Sequence, residues 1–521
     1  MQDALVLQVD RDCEADRSLI GGKAASLVSL ARQGARVPPA FVLTTAAYRQ
    51  WAAGAGDQLI DALLAEGLTQ LEARTARRFG AASGGLIVSV RSGAPISMPG
   101  RMDTLLNVGI GSLPDDAEAF MCEARARFLC QYAELVMGLD TRRIEALNVG
   151  AHPARGPGDV NELERLLRAL ADGQGKPWPR SVREELTGAA RAVFQSWQST
   201  RARLYRSMRK IDDALGTTVA VQQMVFGNRG SHSGSGVAFT RDPTDGSPGL
   251  HGDFLFGGQG EDVVAGREAG QALTAWRSAQ SEPYAELTNL GHHLEAATGK
   301  VHEIEFTVEQ GQLWVLQCRA ALLTARAAAR VAVEFIEEGR MDRAAAIRYA
   351  QEHGFNANDD PFGLVIRGGA VPLGRGLPIG GGVAVGVLAF DSASADTFIR
   401  AGRPVVFVAV ETAPSLLSIM RRAAALVTMR GGTGSHAAVV ARELGKPCIV
   451  GVGAAIADGQ LLMGAGLREG EVATIDGDSG EIFSGDVSKR ASRLTAFEQT
   501  LRQWAVDIQV QRTGADDETQ R

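Results

Sequence analysis

At 521 residues the chain is too long for a single ordinary domain, and its length implies three or four folding units, each with its own core. With 45% hydrophobic residues, 22% charged residues and a net charge of -6, the composition is globular, and it offers no basic surface for nucleic acid or a membrane. The 62 glycines and only 6% aromatics favour α/β domains with many tight turns over a sandwich or a coiled coil.

In chain order, Ala4 to Val9 reads as a strand, and Gly21-Gly22 opens a helix that runs to Arg32. Pro38 to Thr45 returns as a strand, and Gly85 to Gly93 is a buried-type strand ending in Arg91, Ser92 and Gly93. From Pro114 to Arg209 the pattern is helical and charged, broken by a loop from Gly150 to Gly158. Strand signals resume at 219–227, 236–241, 253–256, 304–308 and 313–317, as expected of a mixed sheet. An alanine-rich helical stretch, 320–349, leads to a linker around 356–363. Beyond Gly376, short apolar runs alternate with glycines in a compact α/β domain that closes at Thr474 to Phe483. In the tail, Leu494, Phe497, Leu501, Trp504 and Ile508 recur at helical spacing, the pattern of a docking helix.

The five cysteines, Cys13, Cys122, Cys130, Cys318 and Cys448, are odd in number and widely spaced, as reduced thiols would be. No apolar run is long enough to cross a bilayer, and the N-terminus is acidic and broken, so a cytoplasmic protein is expected.

Met429 to Lys446 carries the sharpest chemistry. Gly431, Gly432 and Gly434 permit a tight turn with free amides, and Ala437 to Leu444 reads as a helix capped by Ser435. His436 therefore sits at the positive end of a helix, where a neutral imidazole can act as a nucleophile and an attached phosphoryl group is stabilised. Arg442 is a candidate second anion ligand.

A nucleotide site needs a backbone cover for phosphates, cations, and oxygen ligands for magnesium. Lys23 follows a double glycine, Arg91 ends a buried strand, and Ser97 to Arg101, with Gly100, supplies a further turn. Ser231 to Gly236 is a second candidate cover. Glu303 and Glu305 alternate on one strand, and Gln317 and Arg319 on the next, so each pair shares a face. Glu261 and Asp262 follow a glycine turn and could accept ribose hydroxyls or orient a basic group. The pair His292 and His293 lacks partners at ligand spacing and reads as surface.

Val88 to Ala94, Ser97 to Asn107, Gln223 to Asn228, Gly234 to Pro243, Gln259 to Gly266 and Glu305 to Glu309 together resemble pyruvate phosphate dikinase more than its water-using relative, phosphoenolpyruvate synthase. The resemblance runs from about Leu19 to Gly485 and implies an α/β multidomain protein. An ATP-grasp nucleotide-binding domain with a helical insertion would be joined by a helical linker to a swivelling phosphohistidine domain. The implied boundaries are 1–112 and 213–322 for the two parts of the nucleotide domain and 113–212 for the insertion. The linker would span 323–374, the phosphohistidine domain 375–487, and the C-terminal helix and tail 488–521.

The resemblance further implies that His436 takes a diphosphoryl group from ATP and releases AMP, and that inorganic phosphate then removes the outer phosphoryl as pyrophosphate. Lys23, Arg91, Gly100, Thr240, Glu261, Asp262, Glu303 and Arg319 would hold ATP or the transferring phosphates, and Glu305 and Gln317 would hold Mg2+. Gly434 stands where the family commonly has a threonine, so threonine-based regulation is not expected. The family continues past the equivalent of Arg521 into a barrel that binds pyruvate and phosphoenolpyruvate, so pyruvate is expected to be reached through another polypeptide. A non-pyruvate acceptor and a nucleotide-sensing module without turnover are the alternatives. A homodimer is expected from the apolar tail helix.

Overall fold

Residues with alternating or continuous apolar character become strands close to where the sequence places them. The computed structural model describes residues 4–519 apart from 82–83, 97, 99–101, 149–155, 266–269, 361, 414–415, 458 and 465. Gly100 and most of the Ser97 to Arg101 turn thus lie outside the described residues, as does the Glu261 side chain. The chain groups into two units, one of residues 1–229 with 314–318, the other of 230–313 with 319–521.

In the first unit, strands β1 (Val6–Val9), β2 (Ala40–Leu43), β3 (Val88–Ser92), β4 (Thr104–Val108) and β5 (Val219–Gln223) form an antiparallel sheet in the order β1-β2-β5-β3-β4. The segment between β4 and β5 holds the helices Ala119–Leu135, Thr141–Asn148, Pro157–Asp172, Val182–Ser196 and Thr200–Arg209. Phe128, Leu167 and Val193 from these helices, and Trp197 just after the fourth, pack in one buried core with Phe41, Val90 and Val221 of the sheet. Burying such side chains contributes roughly 1.5–3 kcal/mol each and ties the helices to the sheet.

The second unit begins with β6 (Gly234–Arg241), β7 (Pro248–Phe256), β8 (Gln271–Ala272) and β9 (His302–Glu309), antiparallel in the order β9-β6-β7-β8. A turn at Gln310-Gly311 leads into β10 (Gln312–Ala320), whose middle residues 314–318 group with the first unit. All of β6 is buried, and this corrects one reading of the sequence. Gly234 to Gly236 belong to a strand, so only Ser231 to Ser233 of the candidate phosphate cover lie outside the sheet. A Cβ at 234 would lie 2.2 Å from the Phe254 ring, and one at 236 would lie 2.6 Å from the Phe306 ring. Glycine is there because two aromatic rings lie across the strand.

An eight-stranded sheet surrounds His436. Its spatial order is Gly374–Arg375, Glu481–Ser484, Val472–Asp476, Val383–Ala389, Val405–Ala409, Ala425–Thr428, Cys448–Val450 and Leu377–Gly380. The four strands from Val383–Ala389 to Cys448–Val450 are parallel neighbours, with crossover helices Ser392–Arg400, Leu417–Arg422 and His436–Leu444 between them. The C-terminal helix Ala496–Thr519 docks as its apolar stripe requires, since Phe497, Leu501 and Trp504 pack with Ala328, Phe335 and Tyr349 of the helices Ala325–Glu337 and Arg343–Glu352. Leu501 is fully buried, so the stripe is used within this unit and is not left as the exposed dimer surface the sequence suggested. Among the described residues no helix is long and apolar enough to cross a membrane.

Candidate functional site: an imidazole at a helix start and two polar clusters

Parallel strand pairing builds the histidine site. Ala409 pairs with Thr428, so the loops leaving the carboxyl ends of these two strands run side by side. One loop carries Thr412 and the other ends at His436, which is the first residue of its helix. Their side chains meet, with Thr412 Oγ1 3.0 Å from His436 Nδ1. Ser435 caps the helix by accepting the Ala438 N–H at 3.4 Å, as its position before the apolar run predicts. The half-buried imidazole thus stands at the positive end of the helix, where the helix dipole favours an attached phosphoryl group.

The glycine turn before His436 is held from below. The buried Asp253 carboxylate accepts both the N–H and the hydroxyl of Thr433, each at 2.8 Å. A Cβ at residue 432 would lie 2.3 Å from that carboxylate, which explains Gly432 by close approach. Burial pushes the Asp253 carboxyl above its ordinary range, against the two donors from Thr433. Arg442 reaches back from the far end of the helix to donate to the Thr433 carbonyl at 2.7 Å, and its guanidinium lies over the Phe239 ring. Thr412 and Asp253 were not found from the sequence, because Thr412 meets His436 through the pairing of the strands before their loops, and Asp253 meets the turn from a strand of a different sheet, neither through nearness along the chain.

In the first unit the structure brings Arg91 to Gln317. Arg91 Nη2 donates to Gln317 Oε1 at 3.5 Å and Nη1 to Gln222 Oε1 at 3.4 Å. The buried Gln222 is itself fixed by donating to the Pro38 carbonyl, so it holds the guanidinium from the side opposite Gln317, a role the sequence did not signal. Lys23 lies on the helix Arg17–Arg32, which breaks at Gly21, where φ is +79°. A Cβ at Gly21 would lie 1.9 Å from the Gly93 carbonyl oxygen, so the glycine lets the Lys23 helix meet the end of the Arg91 strand.

In the second unit Arg319 Nη2 donates to Glu303 at 2.5 Å. Burial opposes the Arg319 charge, yet Glu303 and then Glu305 outweigh it and raise its pKa. Glu305 lies on the same face of β9 as Glu303 and forms no hydrogen bond or ion pair among the described residues. Thr240 is engaged otherwise, donating to the buried Glu295 at 2.6 Å and accepting the His302 N–H. Asp262 accepts the Gln259 N–H and so secures the turn before it. His292 and His293 are exposed on the helix Ser281–Thr298.

Among the described residues no group of three or more histidine, cysteine, aspartate and glutamate side chains is placed to hold a metal ion. Magnesium on a nucleotide asks less of the protein, one or two hard oxygens, with phosphates and water completing the octahedron. The Glu305 carboxylate and the Gln317 amide oxygen are donors of that kind, so their chemistry fits the ion.

Comparison with known proteins identifies the family. A family model described as "Pyruvate phosphate dikinase, AMP/ATP-binding domain" matches residues 57–281, and one described as "PEP-utilising enzyme, mobile domain" matches residues 402–480. A protein of Rhizobium meliloti (strain 1021) named "Pyruvate, phosphate dikinase" is 37% identical over 533 residues, covering 94% of this chain and 58% of its own length. "Pyruvate, phosphate dikinase 2" of Zea mays is 36% identical with the same coverages, and "Pyruvate, phosphate dikinase" of Clostridium symbiosum is 33% identical over 94% of this chain and 59% of its own. The chain spans less than two thirds of the length of these relatives. Matched by both family models and aligned with such relatives along nearly all of its length, the chain belongs to the pyruvate phosphate dikinase family.

Proposed function

We propose that this chain carries the nucleotide half of a dikinase reaction, with His436 as the phosphoryl carrier. The observation that carries the reading is the His436 imidazole at the start of a helix, with Nδ1 engaged by Thr412. When the proton resides on Nδ1 and is donated to the Thr412 hydroxyl, Nε2 keeps its lone pair and is the nucleophile. Nε2 attacks the β-phosphorus of ATP, the bond to the α–β bridging oxygen breaks, and AMP leaves. Inorganic phosphate then takes the outer phosphoryl as pyrophosphate and leaves phosphohistidine, whose group passes to pyruvate at a site in another domain or polypeptide.

Lys23, Arg91 and Arg319 would supply positive charge as the phosphates approach, and Gln222 would keep the Arg91 guanidinium oriented. Magnesium, held by Glu305 and Gln317, would supply further charge neutralisation on the phosphates. Incubation with magnesium and ATP labelled at the β-phosphate is expected to give an acid-labile, base-stable protein label with AMP as product, absent in His436→Ala. ADP as the only nucleotide product would overturn the reading.

A further inference from the structure

A cleft of about 460 Å³ opens in the second unit, between the start of the helix Ala325–Glu337, residues 353–360 with 362–363, and the turns at Gly380-Gly381 and Asp478. Apart from Arg442, none of its lining belongs to the sites described above. Two guanidinia, Arg326 and Arg493, converge on the single carboxylate of Asp478, each at 3.2 Å, and both side chains are about 30% exposed. Missing side chains make this convergence possible. A Cβ would lie 2.8 Å from Asp478 Oδ1 at residue 381, 2.9 Å from Arg493 Nη1 at residue 382, and 2.6 Å from Arg493 Cδ at residue 363.

Arg442 forms part of the wall at 6% exposure, with its Nε and Nη1 groups unpartnered among the described residues. Burial pulls its pKa down to about 10, with Glu303 opposing, as for a charge short of counter-charge. The other acids of the lining have partners of their own: Asp360 pairs with Arg490 from outside the cleft, Asp359 accepts the Asn356 amide at 2.8 Å, and Glu498 accepts the N–H and hydroxyl of Thr495. With two guanidinia on one carboxylate, positive charge is locally in excess at the Asp478 end, while Phe355 and Leu323 give the cleft an apolar wall.

We infer that this cleft binds an organic phosphate monoester, its dianionic head on Arg326 and Arg493 and its body against Phe355 and Leu323. Guanidinium forks match phosphate oxygens two at a time, and a dianion answers two arginines that share one carboxylate. A cleft of this size has room for more than an inorganic ion.

The test is calorimetric titration of the full chain with phenyl phosphate at fixed ionic strength. Saturable binding is expected in the wild type and in Arg91→Gln, which disables the proposed nucleotide site. In Arg493→Gln the Kd is expected to rise tenfold or more. Arg493→Lys, which keeps the charge and loses the fork, should weaken binding to a smaller extent, and it carries the test if the glutamine variant does not unfold cooperatively. Absence of saturable binding, an unchanged Kd in both Arg493 variants, or loss of binding in Arg91→Gln would each overturn the inference.

Discussion

Asp253 shows how a single carboxylate can set the histidine turn. Its carboxyl pKa is raised by burial above the ordinary value of 3.8, so the folded state holds that proton more tightly than the unfolded chain. The stabilising contribution of the group is therefore full below that ordinary value and is lost as pH rises through the raised one. Asp253→Asn keeps an oxygen for both Thr433 donors and removes the titration, whereas Asp253→Ala strands them at a cost of about 1–3 kcal/mol. Urea unfolding of the three proteins across this pH range should show the wild type losing stability relative to the asparagine variant as pH rises, and a constant difference would refute the assignment. Much of the residue-scale site was legible in advance, because glycine punctuation and a cap lie within a few residues of His436. Thr412, Asp253 and Gln222 were not, since the contacts of Thr412 and Gln222 arise from strand register and that of Asp253 from the packing of a second sheet, neither of which local sequence encodes.

Strands show the same division between what is local and what is not. Apolar alternation marked β9 and β10, and the pairing of Arg319 with Glu303 follows from their expected positions. The pattern failed at Gly234 to Gly236, where small residues imitate a loop but serve a strand crossed by Phe254 and Phe306. Gly236→Ala should therefore act through packing, costing about 1–3 kcal/mol in unfolding free energy. A neutral substitution, measured by denaturant unfolding, would mean that the Phe306 ring can withdraw from the strand. The tail helix was legible as a docking helix, but which surface its stripe would meet was not, because periodicity gives a face and not a partner.

Across the whole chain, β10 joins what the sequence presents as separate segments. Residues 314–318 group with the first unit: Val315 N–H donates to the Arg36 carbonyl, Ser26 donates to the Cys318 carbonyl at 2.6 Å, and the Arg36 guanidinium lies over Trp314. A fragment of residues 1–229 lacks these partners and is expected to unfold at lower denaturant than the same region of the intact chain, read by hydrogen exchange of β1 to β5. Equal protection in fragment and full chain would show that the borrowed strand adds nothing.

That borrowed strand also sets an order of events during synthesis. The first unit is complete only when residues 230–313 have been added and Trp314 to Cys318 follow, so its first 229 residues wait without that strand. With growth of roughly 5–20 residues per second, the ribosome imposes a delay of several seconds in which an unfinished unit must stay soluble while its neighbour is already being built.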